Sequence, residues 1–198
     1  DDWRAQMNKE ILREALFYPG VNVEVYQAHD DNAHQIKDIE SLIERKVDLL
    51  IVAPNEAEAI TPVIEKAYDA GIPVILVDRK INSKKYTAYV GADNYEIGRK
   101  AGEYIADRLG GKGRVIEITG LRGSTPAVER HRGMMEALKA APGVQVVASA
   151  EAGWFRQKAG EVMDTLLDAH PQVNLVFAQN DRMAIGAYEK ARQKNRAG

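Results

Sequence analysis

At 198 residues, with 45% apolar and 28% charged side chains, the chain has the make-up of a globular protein and is long enough for one large domain or two small lobes. A formal net charge of −2, with the basic residues dispersed, argues against a nucleic-acid surface, and the lack of any cysteine excludes a disulfide framework, cysteine-based zinc sites and thiol catalysis. No apolar run approaches the roughly 20 residues that cross a bilayer, and no signal peptide is visible.

The first predicted helix covers about residues 3–17, where Trp3, Met7, Ile11 and Ala15 fall four apart on one face and Pro19-Gly20 ends it. Val21, Val23 and Val25 alternate with polar residues and predict a strand. A helix with the buried stripe Ile36, Ile39 and Ile43 follows. Leu49-Leu50-Ile51-Val52 is a continuous apolar run, the pattern of a parallel strand covered on both faces. Asn55 then offers an N-cap, with Glu58 three residues on to close a capping box, and the helix it opens ends at Gly71.

Residues 73–77 form the next strand. Beyond residue 90 the same order repeats: helix 94–109 and strand 114–118, helix 125–140 and strand 144–148, helix 157–169 and strand 173–177, then a last helix over 181–194. Strict alternation at this spacing predicts an α/β protein with parallel sheets. The rhythm breaks once, at residues 80–92, where a polar stretch leads to a short strand, Tyr86 to Val90, with no helix ahead of it. That break predicts a crossing between two lobes, residues 1–91 and 92–198.

In open parallel sheets ligands bind beyond the carboxyl ends of the strands. The residues there are Ala53-Pro54-Asn55, Asp78-Arg79, the turn from Gly120 to Thr125 with Arg130 further into its helix, Trp154-Phe155-Arg156, and Gln179-Asn180-Asp181; Trp3 holds the equivalent place on the first helix. Two indoles, an Asp-Arg pair and an amide suit a monosaccharide, whose apolar C–H face stacks on an aromatic while adjacent hydroxyls need paired donors and acceptors. Each residue also has a plainer role. Trp3 and Trp154 fit core packing, Asp78-Arg79 a cap or surface ion pair, and Asn180-Asp181 an N-cap. Ser124 and Thr125 open a helix after a glycine turn, which serves either as a cap or as an anion site.

Enzyme signatures are missing: the chain has no G-x-x-x-x-G-K-S/T, no G-x-G-x-x-G and no G-x-S-x-G. His29, Asp30, Asp31 and His34 cluster, but they precede a helix that one of Asp30, Asp31 or Asn32 would cap, so no metal is expected. No cofactor is implied, and His131 and His170 have no catalytic partner nearby in sequence.

At these strand ends the sequence resembles the ribose-binding-protein branch of the type I periplasmic binding proteins. The stretches that carry the likeness are Val47 to Pro54, Gly71 to Arg79, Gly91-Ala92-Asp93-Asn94, Arg130-His131-Arg132-Gly133-Met134 and Ala178 to Ala187. Asp1-Asp2-Trp3-Arg4 and the run from Lys84 to Gly98 are similar, more closely, to the periplasmic sugar-sensing domains of hybrid two-component histidine kinases, some of which sense monosaccharides such as fructose.

The resemblance implies two Rossmann-like lobes closing on one sugar, with a further strand ahead of Asp1 and further elements after Gly198. Carried onto this chain, the ligand residues are Trp3, Arg4 (where the family has an aromatic), Asp78, Arg79, Arg130, Trp154 and Asn180. It also implies a periplasmic location and no catalysis. The partner is then a histidine kinase module in the same full-length chain, with a homodimer partner left open, or an ABC permease served by a soluble binding protein. The effector-binding core of a lactose-repressor-type regulator is the third possibility.

Overall fold

The computed structural model describes residues 2–197, with seven helices and six strands among them. In chain order they are α1 (Asp2–Ala15), α2 (Asn32–Glu44), β1 (Leu50–Val52), α3 (Ala57–Asp69), β2 (Val74–Val77), β3 (Ala88–Val90), α4 (Asn94–Arg108), β4 (Lys112–Thr119), α5 (Thr125–Leu138), β5 (Gly143–Glu151), α6 (Arg156–Ala169), β6 (Leu175–Ala178) and α7 (Asp181–Gln193). The strands form two separate three-stranded sheets, in the orders β1-β2-β3 and β5-β4-β6. Every pairing is parallel. This is the expected α/β architecture.

The first sheet pairs Leu50 with Val74 and Leu76 with Tyr89. Its alternate residues Leu50, Val52, Val74 and Leu76 are buried against Ile39 of α2 and Ile60 and Ile64 of α3. The period of two along the strands and of 3.6 along the helices makes these faces meet. In the second sheet β4 is central, and both its faces are covered. Ile116 and Ile118 pack with Met163 and Leu167 of α6 and Met183 of α7. Val115 packs with Ile105 of α4 and Met134 and Leu138 of α5. Gly98, Gly102 and Gly133 let α4 and α5 approach until a Cβ at Gly98 would lie 2.0 Å from the Arg130 carbonyl.

Three expectations are corrected here. Residues 21–28 form no strand, because alternation supplies one apolar face but not a ladder partner, and the segment pairs with no strand among the described residues. It is tied down by side chains instead: Arg45 donates to both carboxylate oxygens of Glu24, at 2.9 and 2.7 Å. Secondly, among the described residues β1 is covered on one face only. Ile51, which points the other way from Leu50 and Val52, is 45% exposed. Thirdly, Asn55 does not cap α3. The N-cap is Glu56, which makes no side-chain capping bond, while Asn55 is buried and used elsewhere.

Candidate functional site

The carboxyl ends of β1 and β2 converge on a small charged cup. Arg79 follows β2 and is only 4% exposed. Its Nη1 donates to the Asn55 carbonyl at 2.6 Å, and its Nε lies 3.8 Å from the Asp78 carboxylate. Arg4, from the first turn of α1, approaches from the other side: Nη1 donates to the Ala53 carbonyl at 2.9 Å, and Nη2 lies 3.6 Å from Asp78. One carboxylate thus stands between two guanidinium groups.

Burial pushes the Arg79 guanidinium down to about 10, Arg4 pushes the same way, and Asp78 and Asp30 oppose them. Burial likewise lowers Arg4, against Asp78 and Asp30. The cup thus sets two buried guanidinium groups against the Asp78 carboxylate in a poorly hydrated place. Asp78 has φ +65°, the left-handed region that short polar side chains tolerate. Its N–H donates to the Val90 carbonyl at 2.9 Å, and its own carbonyl accepts from the Tyr89 hydroxyl at 3.0 Å.

Asn32, Gln35 and Tyr89 brace the cup without having been expected from the sequence, and Asn55, expected at the strand end, links the first two to it. Asn55 Nδ2 donates to the Asp30 carbonyl at 3.1 Å and to Asn32 Oδ1 at 2.8 Å, and its N–H donates to Gln35 Oε1 at 2.8 Å. The loop before α2 is therefore bonded to the end of β1, and Asp31 caps α2 by accepting from the His34 N–H.

A second cluster sits at the carboxyl ends of β5 and β6. Trp154, at φ +76° and 8% exposed, lies so close on Gly120 that a Cβ there would be 2.1 Å from the indole. Its Nε1–H is buried with no acceptor among the described residues. The Arg130 guanidinium stacks over the indole at 5.6 Å, its Nε donates to Asn94 Oδ1 at 3.0 Å, and its Nη1 donates to the Gln179 carbonyl. Asn180 caps α7 by accepting from the Met183 N–H at 2.8 Å.

The segments that carry the two clusters are bonded to each other. Burial lowers Arg130, and the charge of Asp78, on the other sheet, is the largest influence opposing it. Thr125 Oγ1 accepts from the Lys80 N–H at 2.9 Å and Glu129 pairs with Lys80 Nζ at 2.9 Å, so α5 is bonded to the segment after β2. Ser124 donates to the Leu121 carbonyl at 2.6 Å. The structure thus brings Arg4, Asp78 and Arg79 together, and Arg130, Trp154 and Asn180 together. Trp3, next to Arg4 in the first turn of α1, is 54% exposed. Two surface recesses, about 1010 Å³ between α6 and α7 and about 640 Å³ between the C-terminal ends of α2 and α3, lie away from both clusters and include none of these residues.

Two separate parallel sheets, each with charged or aromatic side chains at its carboxyl edge, define a two-sheet α/β protein. The chain belongs to the periplasmic binding protein domain family, whose model matches residues 1–198. It is 37% identical over 183 residues to the ribose import binding protein of Bacillus subtilis, covering 92% of this chain and 59% of that one.

Among solved structures, the fructose binding periplasmic domain of the hybrid two component system BT1754 matches with 55% identity and a TM-score of 0.95, over 99% of this chain and 65% of that one. A galactofuranose binding protein matches with 32% identity and a TM-score of 0.92, over 98% and 68%. The chain therefore spans about three fifths of the length of the curated relatives it matches. These relatives are binding proteins and a sensor domain rather than enzymes.

Proposed function

We propose that this chain is the larger part of a periplasmic module that captures one monosaccharide between two lobes, residues 1–91 and 92–198, without altering it. The observation that carries the proposal is the Arg4–Asp78–Arg79 cup, bonded through Lys80 to α5, the helix that carries the arginine of the Arg130–Trp154 stack. A carboxylate accepts two hydroxyl protons while guanidinium forks donate parallel bonds, and an indole offers an apolar face to a sugar's C–H groups. All four charged groups are held by other protein atoms, so little ordering is left to ligand binding. In this role Trp154 packs against the ring, Asn180 offers its Nδ2, and Trp3 covers the site from α1.

Fructose, or another hexose or pentose, is the favoured ligand, in line with the 55% identity to a fructose binding domain. That likeness also favours a sensor whose closure shifts a histidine kinase module in the same full-length protein. Closure follows because the sugar binds the closed arrangement more tightly than the open one. The match to a ribose import binding protein supports a second reading, delivery to an ABC permease.

Calorimetry of the full-length protein, or of its complete extracytoplasmic region, against neutral pentoses and hexoses tests the proposal. One sugar per chain and no turnover are expected, with about 2.7 kcal/mol of added stability at 100-fold over Kd. Conversion of any sugar, or tight binding of an anion with silence across the panel, would overturn it.

A further inference from the structure

Glu117 lies completely buried in the middle of β4, and nothing in the proposed sugar site touches it. A buried carboxylate persists only when its oxygens are fully engaged. Here Gln179 Nε2 donates to Oε1 at 2.9 Å, while His131 Nδ1 and Ser149 Oγ meet Oε2 at 2.7 and 3.1 Å. Carboxylate, not imidazole, stands between hydroxyl and ring, so these three residues do not have the connectivity of a nucleophile triad.

Gln179 is itself buried, and each of its polar groups is bonded. Its Oε1 accepts from the Gly120 N–H at 3.0 Å, and Nε2 donates a second time to the Ala127 carbonyl at 3.1 Å. Its backbone carbonyl accepts from Arg130 Nη1, and its N–H donates to the Ile118 carbonyl at 3.0 Å. The Gly120 N–H can only donate and the Ala127 carbonyl can only accept, so the Gln179 oxygen faces Gly120, and the NH2 that this leaves on the other side is held by Glu117. Gly120 is the residue on which Trp154 rests.

His131 adds a second constraint. It is the neighbour of Arg130 on α5, about 100° further round the helix, so holding His131 on Glu117 fixes the direction in which Arg130 leaves.

We infer that Glu117 and Gln179 are positioning residues for Arg130: a buried Glu117–Gln179–His131 network sets the direction of α5 and the carbonyl on which the arginine is held. The inference rests on the sugar-site reading of Arg130, and it assigns ligand affinity to two residues that touch no ligand.

A double-mutant cycle in the full-length protein tests it, with calorimetry against the sugar panel and NMR of the Arg130 Nη–H groups, one of which donates to the Gln179 carbonyl, in the unliganded protein. Gln179→Met and Glu117→Leu are expected to weaken sugar binding about tenfold or more, whereas Glu117→Gln, whose amide oxygen still accepts from Gln179, stays within about threefold. In an Arg130→Ala background the same substitutions are expected to change affinity less than about twofold. Equal losses in both backgrounds, or normal affinity in the single variants, would overturn the inference.

The NMR arm separates the two ideas. If the wild-type protein binds no sugar, the sugar reading fails, yet the Arg130 signal must still lose its bonded position in Gln179→Met; an unchanged signal refutes positioning. Should Gln179→Met not fold, Glu117→Leu with and without Arg130→Ala completes both arms.

Discussion

The two sheets are alike in strand number and in their parallel pairing, yet they are clothed differently. In the second, helices cover both faces, and Val115, Ile116 and Ile118 are all inaccessible. In the first, α2 and α3 cover one face, while Ile51 and Val90 on the other lie open among the described residues. The apolar side chains of α1 are equally uncovered, with Leu12, Leu16 and Phe17 exposed. An apolar run therefore identifies a strand without saying what packs on it. The polar clusters differ too: the cup on the first sheet is held by backbone carbonyls and ion pairs, and the cluster on the second by hydrogen bonds to Arg130 together with the close packing of Trp154 on Gly120.

Breaking the first cluster is expected to have the largest effect on binding. Arg79→Ala leaves the Asn55 carbonyl and Asp78 without their buried partner, and Asp78→Asn removes the charge between two guanidinium groups. Truncating one member of a buried charged pair costs about 2–5 kcal/mol, or roughly 30- to 3,000-fold in affinity. Titration of the sugar into each folded variant checks this, and near-normal affinity would remove the cup from the site.

The contrast between the sheets predicts a difference in stability. Ile116→Ala should cost about 2–5 kcal/mol, the range for a large aliphatic cut out of a packed core. Ile51→Ala, on the open face, should cost less than about 1 kcal/mol. Urea unfolding of both variants measures the gap. Similar losses would mean that the outer face of β1 is packed in the full-length protein.

Next in size comes Gly120→Ala. The added methyl would sit 2.1 Å from the indole of Trp154, and overpacking of this kind costs about 1–3 kcal/mol. Trp154 should be displaced with it, which a change in tryptophan emission reports, since the chain has two tryptophans and the other, Trp3, is on the exposed face of α1. Unchanged emission and stability would show that the second cluster yields as readily as the first.

What could be read from the sequence divides along similar lines. Periodicity located α4 through α7 and β4 through β6 because each has its covering partner close by in the chain. It failed at Val21–Val25, where a strand needs a neighbour that no local pattern supplies. Asn55-x-x-Glu58 has the form of a capping box, but Arg79 and Asn32, 24 and 23 residues away in sequence, claim the asparagine instead. The sequence located Asp78, Arg79, Arg130, Trp154 and Asn180 near strand ends and read Asp78-Arg79 as a pair, but Arg4 came from the family resemblance alone, and its meeting with Asp78 was not legible. Gln179 and Glu117 are 62 residues apart, and the one local signal was a lone carboxylate in the apolar run Val115-Ile116-Glu117-Ile118. A charge at that register demands buried partners and so marks a network before its members are known.

The smallest expected effect concerns Tyr89, which braces the first cluster by donating to the Asp78 carbonyl at 3.0 Å. Its phenol is pushed up from 10.0 to about 12, chiefly by burial and next by the charges of Asp78 and Glu129. The folded protein therefore holds this proton between pH 10 and 12 while the unfolded chain releases it. With more protons bound in the native state, stability falls as pH rises through that window, and the contribution is complete below pH 10. Tyr89→Phe keeps the ring under Lys80, whose Nζ lies 5.3 Å from its centroid, but has no proton to lose. Urea midpoints of wild type and Tyr89→Phe, taken in steps from pH 8 to pH 11.5, should start apart in favour of the wild type and draw together above pH 10. The side chain is partly exposed, so solvent screening keeps the change small. A gap that stays constant over the whole range would mean that the phenol is as freely hydrated in the folded protein as in the unfolded chain, and that the Asp78 carbonyl is braced by its backbone alone.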